Sequence, residues 1–183
     1  MPSEAEAAFS LPVNVRRLPK KGQMLLFEAS KEQREQIARD YNLISIESFN
    51  AEGLVAPWKR DGVKLTGHVK AQVTQPCAVS GEPLSAVVDE AVEVLFLPEG
   101  SRLARPATDA DGEIVFDPMG DDLPEPFVGD SIDLAQSWLE FFDLGLDPHA
   151  RIEGAEFDRS GLNLSQDSPF SVLADMKPSL KNS

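Results

Sequence analysis

The sequence predicts an α+β fold in which an antiparallel β-sheet is flanked by two helices. Apolar and polar residues alternate over residues 63–97 in two valine-rich arms, and this period of two is typical of strands with one buried face. Ser30, followed by helix-forming residues as far as Tyr41 and by Gln33 at the third position after it, predicts an N-capped helix. Apolar residues at helical spacing over Ile132–Leu146 predict a second helix. The patterns leave open whether the sheet closes into a barrel.

The two central arms are expected to form one long antiparallel hairpin with a single buried face. Only Glu90 interrupts that face. Between the arms, Thr74–Pro83 contains Pro76 and Gly81, which favour a turn, so we expect a loop of about ten residues. The residues expected on the buried face are Val63, Leu65, Val69, Ala71, Val73, Leu84, Ala86, Val88, Val92, Val94 and Phe96.

Shorter strands and turns are expected around this hairpin. The strand-like segments are Phe9–Val15, Leu43–Phe49 and Leu54–Trp58, with a short apolar run at Met24–Phe27. Asp61-Gly62 predicts a turn into the central hairpin. The second helix is expected to start at Ser131 and to end near Gly145 and Pro148.

We expect a single α+β domain over residues 9–150. Within it, residues 98–130 are expected to form a loop rich in proline and acid, in which Glu113–Phe116 could add a short edge strand. Residues 151–183 are expected to be a largely mobile tail. An apolar cluster at residues 168–173 is expected to dock on this domain or on a partner. Its apolar side chains are those of Phe170, Val172 and Leu173.

Composition narrows the class of protein. Hydrophobic residues make up 42% of the 183 residues, which is enough for a core. No apolar run approaches the roughly 20 residues that span a bilayer, and the N-terminus lacks the basic start and apolar middle of a signal peptide. A single cysteine excludes an intramolecular disulfide and fits a reducing compartment. We therefore expect a cytoplasmic protein with no membrane contact.

Charge is distributed unevenly along the chain. The net charge is −14, yet residues 10–80 carry eleven basic and seven acidic side chains, a balance of +4. Residues 81–183 have a balance of −16. Such asymmetry points to polar partners, although acidic solvation without any partner explains it equally well. The candidate RNA contacts are Arg16, Arg17, Lys20, Lys21, Lys64 and Lys70, with Lys59 and Arg60 in the same basic half.

The residues predict no catalytic, cofactor-binding or metal-binding site and no small-molecule substrate. A structural zinc site needs about four cysteine or histidine ligands, and the chain has only Cys77, His68 and His149. A Cys77 nucleophile with His68 as its base would lack a third, orienting group, so a partly buried inert thiol is the preferred interpretation.

Several short motifs follow one another along the chain. They are Gly67–Cys77, Glu82-Pro83, Val94–Glu99, Gly129–Leu134, Leu146-Asp147-Pro148 and Ser168–Leu173. Their succession, from about residue 10 to the C-terminus, closely resembles the YceD family of bacterial proteins, also called large ribosomal RNA subunit accumulation proteins. The resemblance implies a part in the synthesis, processing or stability of large-subunit ribosomal RNA, and no established catalytic activity comes with it.

The loop of the central hairpin carries part of this resemblance. The residues concerned are Gln75, Cys77, Ser80, Glu82 and Pro83. Many members of the family have a Cys-x-x-Cys pair at this loop, whereas this chain has Ser80 at the second position. The chain thus departs from the family pattern at the residue that a metal-binding or redox role would need.

Residues and resemblance together predict a non-catalytic ribosome-biogenesis factor that binds ribosomal RNA, a basic ribosomal protein, or both. The basic first half would contact RNA and the acidic second half would shield the basic protein, since charge complementarity sets association rate and partner choice. One alternative is a small metal-dependent RNA-processing enzyme, which would need convergent carboxylates and a divalent ion. Another is an adaptor that binds only protein.

Overall fold

The computed structural model describes residues 9–104 and 123–156, and these form seven strands and two α-helices. In chain order they are β1 (Pro12–Asn14), β2 (Gln23–Glu28), α1 (Lys31–Asp40), β3 (Ser45–Trp58), β4 (Gly62–Pro76), β5 (Pro83–Pro98), β6 (Glu125–Phe127), β7 (Ser131–Asp133) and α2 (Leu134–Leu144). Short 3-10 turns follow β1 at Val15–Arg17 and β5 at Arg102–Ala104. The predicted α+β class is confirmed.

Five strands form one sheet in the order β2-β3-β4-β5-β6. Neighbours are antiparallel except β5 and β6, which run parallel. Strands β1 and β7 form a separate antiparallel pair. Because β2 and β6 are the two edges and do not pair with each other, the described strands do not close into a barrel.

Alternation along the strands gives the sheet one core face, as predicted. Ala71 of β4 lies opposite Phe49 of β3 and Val88 of β5. The β4–β5 register is continuous, whereas the β3–β4 register shifts by one residue between Ile46 and Ser48. All five residues expected in the first arm are buried. In the second arm Leu84 and Ala86 are only partly buried, and the buried residues are Val88, Val92, Val94 and Phe96.

Two glycines face each other in the middle of the core face, where β3 and β4 approach closely. Gly53 is paired with Gly67. A Cβ on Gly67 would overlap the carbonyl oxygen of Glu52, whereas one on Gly53 would meet the Cδ1 of Leu65 at 2.9 Å. The absence of side chains is therefore what permits this strand spacing.

Helix α1 begins at the predicted cap. The Ser30 hydroxyl accepts a hydrogen bond from the Gln33 N–H (3.3 Å), and the Gln33 side chain accepts one from the Ser30 N–H (2.7 Å). This reciprocal pair satisfies donors that the helix itself leaves unpaired. Ile37 and Ala38 are the buried residues of the helix and join the core.

Helix α2 starts later than predicted. Residues Ser131–Asp133 are extended and pair with β1, so the helix begins at Leu134, where the Asp133 carboxylate accepts from the Ala135 N–H at 3.0 Å. No local pattern indicates this pairing, because the partner strand lies far away in the chain. The predicted apolar stripe is confirmed: its buried residues are Leu134, Ala135, Trp138, Leu139 and Phe142.

Aromatic rings join α2 to the sheet. Phe142 lies 5.3 Å from Phe49, measured between ring centroids, and Trp138 stacks on Phe27 at 6.2 Å. Phe9 continues the cluster by stacking on Phe27 at 4.1 Å. The core is thus formed between one face of the sheet and the α2 stripe.

Two loop predictions need correction. The strands expected at Leu43–Phe49 and Leu54–Trp58 are one strand, because the residues between them pair with β2 on one side and β4 on the other. The central loop is shorter than expected, since Pro76 and Pro83 pair with each other and end the two strands. Proline is tolerated at the end of a strand, so only residues 77–82 form the turn.

Part of the predicted acidic loop, residues 98–130, is ordered as the Arg102–Ala104 turn and β6. The edge strand expected at Glu113–Phe116 and the docking segment at 168–173 lie outside the described residues. Ile152 lies beyond the expected domain boundary, yet its N–H donates to Cys77. In the two described ranges, neither helix is long and apolar enough to cross a membrane.

Candidate nucleic-acid interface

Five exposed cations lie at the end of the five-stranded sheet where β3 turns into β4, and we call this surface the basic end. Its members are Lys20, Lys21, Lys59, Arg60 and Arg102. Lys59 and Arg60 belong to the β3–β4 turn itself. The other three reach the same end from distant parts of the chain.

Strand register places Lys20 and Lys21 beside this turn. Gln23 is opposite Val55, and β2 runs antiparallel to β3, so the residues before Gln23 lie next to the last residues of β3. Gly22 has a positive φ of 81° and its N–H donates to the Pro19 carbonyl at 2.9 Å. A tight turn therefore presents the two lysines at the edge of the sheet.

Arg102 is held at the same end by a hydrogen bond between two loops. The Ser101 hydroxyl, which is buried, donates to the Asp61 carboxylate at 3.0 Å. Asp61 is the last residue of the β3–β4 turn. This contact fixes the start of the Arg102–Ala104 turn against the β3–β4 turn.

The basic end has charge that the described part of the protein does not neutralise. None of its five cations forms an ion pair with another described residue. Cations that have no ion pair with a described residue offer positive charge to phosphate groups, because none of the described pairs has to break for binding.

Arg16 and Arg17 lie in the 3-10 turn after β1. Arg16 forms an ion pair with Asp130 at 2.6 Å, and the nearby Val15 N–H donates to the Asp130 carbonyl at 2.8 Å. Arg17 is exposed. The structure thus gives Arg16 an internal partner that the sequence did not indicate.

Lys64 and Lys70 lie on the face of β4 opposite the core. Each has an acidic partner on β5: Lys64 contacts Glu93 at 2.7 Å, and Lys70 contacts Asp89 at 3.1 Å. Six residues of strand separate them, which is about 20 Å. Of the two, only Lys64 is near the basic end, so the six candidate cations do not form one continuous face.

Sequence reasoning missed Arg102 and the neighbouring Trp58. Arg102 lies in a segment whose composition is acidic and rich in proline. Trp58 ends β3, and the Lys59 ammonium lies 4.0 Å from its ring centroid. The sequence signal that could have indicated Trp58 is its position directly before the Lys59-Arg60 pair.

The loop that carries the family resemblance docks on the segment after α2. Its residues lie at the opposite end of the sheet from the basic end, between β4 and β5. The Ala78 N–H donates to the Ala150 carbonyl at 2.8 Å, and the Gln75 amide donates to the Asp147 carbonyl at 3.3 Å. Ser80 contacts Glu82 through its hydroxyl at 3.2 Å, and Pro83 begins β5.

Cys77 is at the centre of this contact and is buried. Its sulfur accepts hydrogen bonds from the Ser80 N–H at 3.5 Å and the Ile152 N–H at 3.4 Å. Hydrogen bonding from Ser80, first, and then from the Ile152 and Val79 backbone lowers the pKa of the Cys77 thiol to about 6. The thiol is therefore more acidic than the inert group expected from the sequence. The sequence could not indicate this, because one of the hydrogen-bond donors, the Ile152 N–H, lies 75 residues away.

Among residues 9–104 and 123–156, no three His, Cys, Asp or Glu side chains are grouped so as to hold a metal ion. In comparisons with known proteins, no family model, no curated protein and no solved structure matches this chain.

Proposed function

We propose that this chain is a non-catalytic ribosome-biogenesis factor that contacts large-subunit ribosomal RNA through its basic end. The observation that carries the RNA contact is the convergence of five exposed cations, from three separate segments, at one end of the sheet. The role in ribosomal RNA accumulation comes from the resemblance of the motifs to the YceD family. We place the protein in the cytoplasm, where a free buried thiol is compatible with a reducing environment.

Because the chain as a whole is negatively charged, any contact with RNA must be confined to a local cluster of cations. A net charge of −14 opposes association with a polyanion at long range. Phosphate groups are attracted only where cations lie close together, and such attraction falls off within about 8 Å at physiological ionic strength. The basic end is the described surface that meets this condition.

A second candidate partner is a basic ribosomal protein, and an acidic surface beside α2 favours it. Asp40, Glu140 and Asp143 are exposed. Burial raises the pKa of Tyr41, and the negative charges of Asp143, Asp40 and Glu140 raise it further, so the three carboxylates act on the same hydroxyl. This surface would attract cationic side chains of a protein without needing RNA.

Charge reversal tests the RNA proposal. We expect the triple variant Lys20→Glu, Lys21→Glu, Arg60→Glu to lose binding to large-subunit ribosomal RNA in a filter-binding or gel-shift assay. Its fold should be intact, because exposed charges contribute little to stability. Circular dichroism and urea denaturation check the fold.

A matched variant controls for the change in net charge. Lys31, Arg39 and Arg151 are also exposed but lie away from the basic end, on α1 and next to the hairpin loop. Of these, Lys31 forms an exposed ion pair with Glu35 at 3.8 Å. Reversing these three charges should leave RNA binding within a few-fold of wild type. If both variants bind as wild type does, the basic end is not an RNA site, and the acidic surface around Tyr41 becomes the preferred contact.

A further inference from the structure

We infer that Trp58 is a stacking platform for an unpaired base, so that the preferred ligand of the basic end is single-stranded RNA. This inference rests on the RNA contact proposed above and names the class of RNA. Partly exposed aromatic rings among cations are typical of sites that bind single strands, where bases stack and phosphates are neutralised in turn.

The position of the Trp58 ring is determined by the strand pair beneath it. Trp58 is paired with Gly62 across the β3–β4 hairpin, on the face opposite the core. A Cβ on Gly62 would lie 2.9 Å from the Trp58 Cε3 and also 2.9 Å from the Leu97 Cδ2. One edge of the Trp58 ring therefore packs against Gly62, and any larger residue at position 62 would collide with it.

Trp58 is partly exposed, and a cation lies over its ring. Trp58 is only partly buried, in contrast to the fully buried Trp138 of the core. The Lys59 ammonium lies 4.0 Å from the Trp58 ring centroid, and Lys59 itself has a positive φ of 51°. That conformation is uncommon for a residue with a side chain and occurs here in the short β3–β4 turn.

These contacts describe a site with two complementary parts. An incoming base can take the place of the Lys59 side chain on the ring, while the exposed ammonium moves to an adjacent phosphate. Arg60 belongs to the same turn, and Lys20 and Lys21 lie beside it, so neighbouring phosphates also find partners. Duplex RNA has no free base face to offer and would use only the cations.

Binding measurements with three probes test the inference. The probes are a short oligouridylate, the same oligonucleotide with abasic sites, and an RNA duplex of equal length. We expect Trp58→Ala to weaken binding of the oligouridylate about ten- to a hundred-fold, which is the effect expected for one stacked base. Binding of the other two probes should not change.

Two further variants separate stacking from stability. Trp58→Phe keeps an aromatic face and should retain most of the affinity, whereas Trp58→Leu fills the space above Gly62 without an aromatic face and should lose it. Fluorescence of wild type should be quenched by the oligouridylate, and Trp58→Phe, which keeps only the buried Trp138, should show no quenching.

The outcomes distinguish this inference from the function on which it rests. If a folded Trp58→Leu binds oligouridylate as tightly as wild type, Trp58 is not a platform, and the charge-reversal result alone decides whether the basic end binds RNA. Equal wild-type affinity for single strands and duplex would also overturn the inference. If wild type binds none of the probes and no ribosomal RNA, both proposals fail.

Discussion

Single residues decide how closely the parts of this protein approach one another. Gly67 lets β4 lie against the backbone of β3, and Gly62 makes room for the Trp58 ring. Gly145 ends α2 with an ordinary φ of −81°, so glycine is not required there by the backbone conformation. It is required by close packing, since a Cβ at this position would lie 2.7 Å from the Val88 Cγ1. Cys77 joins the hairpin loop to Ile152 through its sulfur.

Gly67→Ala should lower the free energy of unfolding by an amount near the upper end of the about 1–3 kcal/mol that overpacking costs. The new Cβ would meet the backbone oxygen of Glu52, so the strand itself must move. Gly53→Ala is the matched control and should cost less, because its Cβ meets a Leu65 methyl group that can rotate away. Urea denaturation measures both, and a larger cost for Gly53→Ala would contradict the assignment.

The thiol of Cys77 should make stability depend on pH. Its pKa is about 6 in the folded protein against an ordinary value of 9.0, so the unfolded chain holds the proton more tightly. Ionisation then contributes nothing below pH 6, and its contribution grows from pH 6 to 9 and is complete above that. Cys77→Ser cannot ionise in this range and should lack the increase.

Urea denaturation of wild type and Cys77→Ser in reducing buffer, at several pH values from 6 to 9, provides the test. Subtracting the two removes the titration of all shared groups. We expect the difference in unfolding free energy to rise with pH. A difference that stays constant would show that the N–H groups of Ser80 and Ile152 do not stabilise the thiolate.

At the scale of elements, α2 holds the molecule together. It covers the core face of the sheet and follows directly from β7, which anchors β1. Its outer face carries Glu140 and Asp143, and the exposed Leu144 lies at its end. The helix therefore has an inner side that packs on the sheet and an outer side that is exposed among the described residues.

Trp138→Ala should lower the unfolding free energy by about 3–5 kcal/mol, as other large-to-small aromatic changes in cores do. The ring is fully buried and stacks on Phe27. Leu144→Ala, in the same helix but 74% exposed, should change stability by no more than about 0.5 kcal/mol. If Trp138→Ala were as stable as wild type and lost only a partner, α2 would be an interface instead of a core helix.

At the scale of the whole molecule, opposite charges occupy different places. The basic end lies at the β3–β4 turn, whereas the carboxylates that raise the pKa of Tyr41 belong to the two helices. On the open face of the sheet, by contrast, Lys64 and Lys70 are each paired with an acid of β5. The free positive charge of the described protein is thus concentrated where the sheet ends.

Salt dependence should reveal how many phosphates the basic end neutralises. Each contact to single-stranded RNA contributes about 0.7 to the slope of log affinity against log salt concentration. Changing Lys20, Lys21 and Arg60 to Gln should therefore reduce the magnitude of that slope by about 2. An unchanged slope with reduced affinity would indicate that the variant perturbs structure instead of removing phosphate contacts.

Local sequence patterns determined the elements and the core face. The alternation over residues 63–97, the cap at Ser30 and the apolar stripe of α2 each depend on neighbours within one or two turns or strand repeats, so they can be read without knowing the fold. The sequence also determined that the cations are concentrated in residues 10–80. Because of this concentration, Lys20 and Lys21 were among the candidate contacts predicted from the sequence.

Only the tertiary structure decided which of these groups meet. The strand pairing of Ser131–Asp133, the link between Cys77 and Ile152, and the pairing of Arg16 with Asp130 all join residues far apart in the chain. Antiparallel pairing brought Lys20 and Lys21 to Arg60, and the Ser101–Asp61 hydrogen bond brought Arg102 there as well. Periodicity shows which face of an element is buried, but register between distant strands is set by packing and determines which side chains come together.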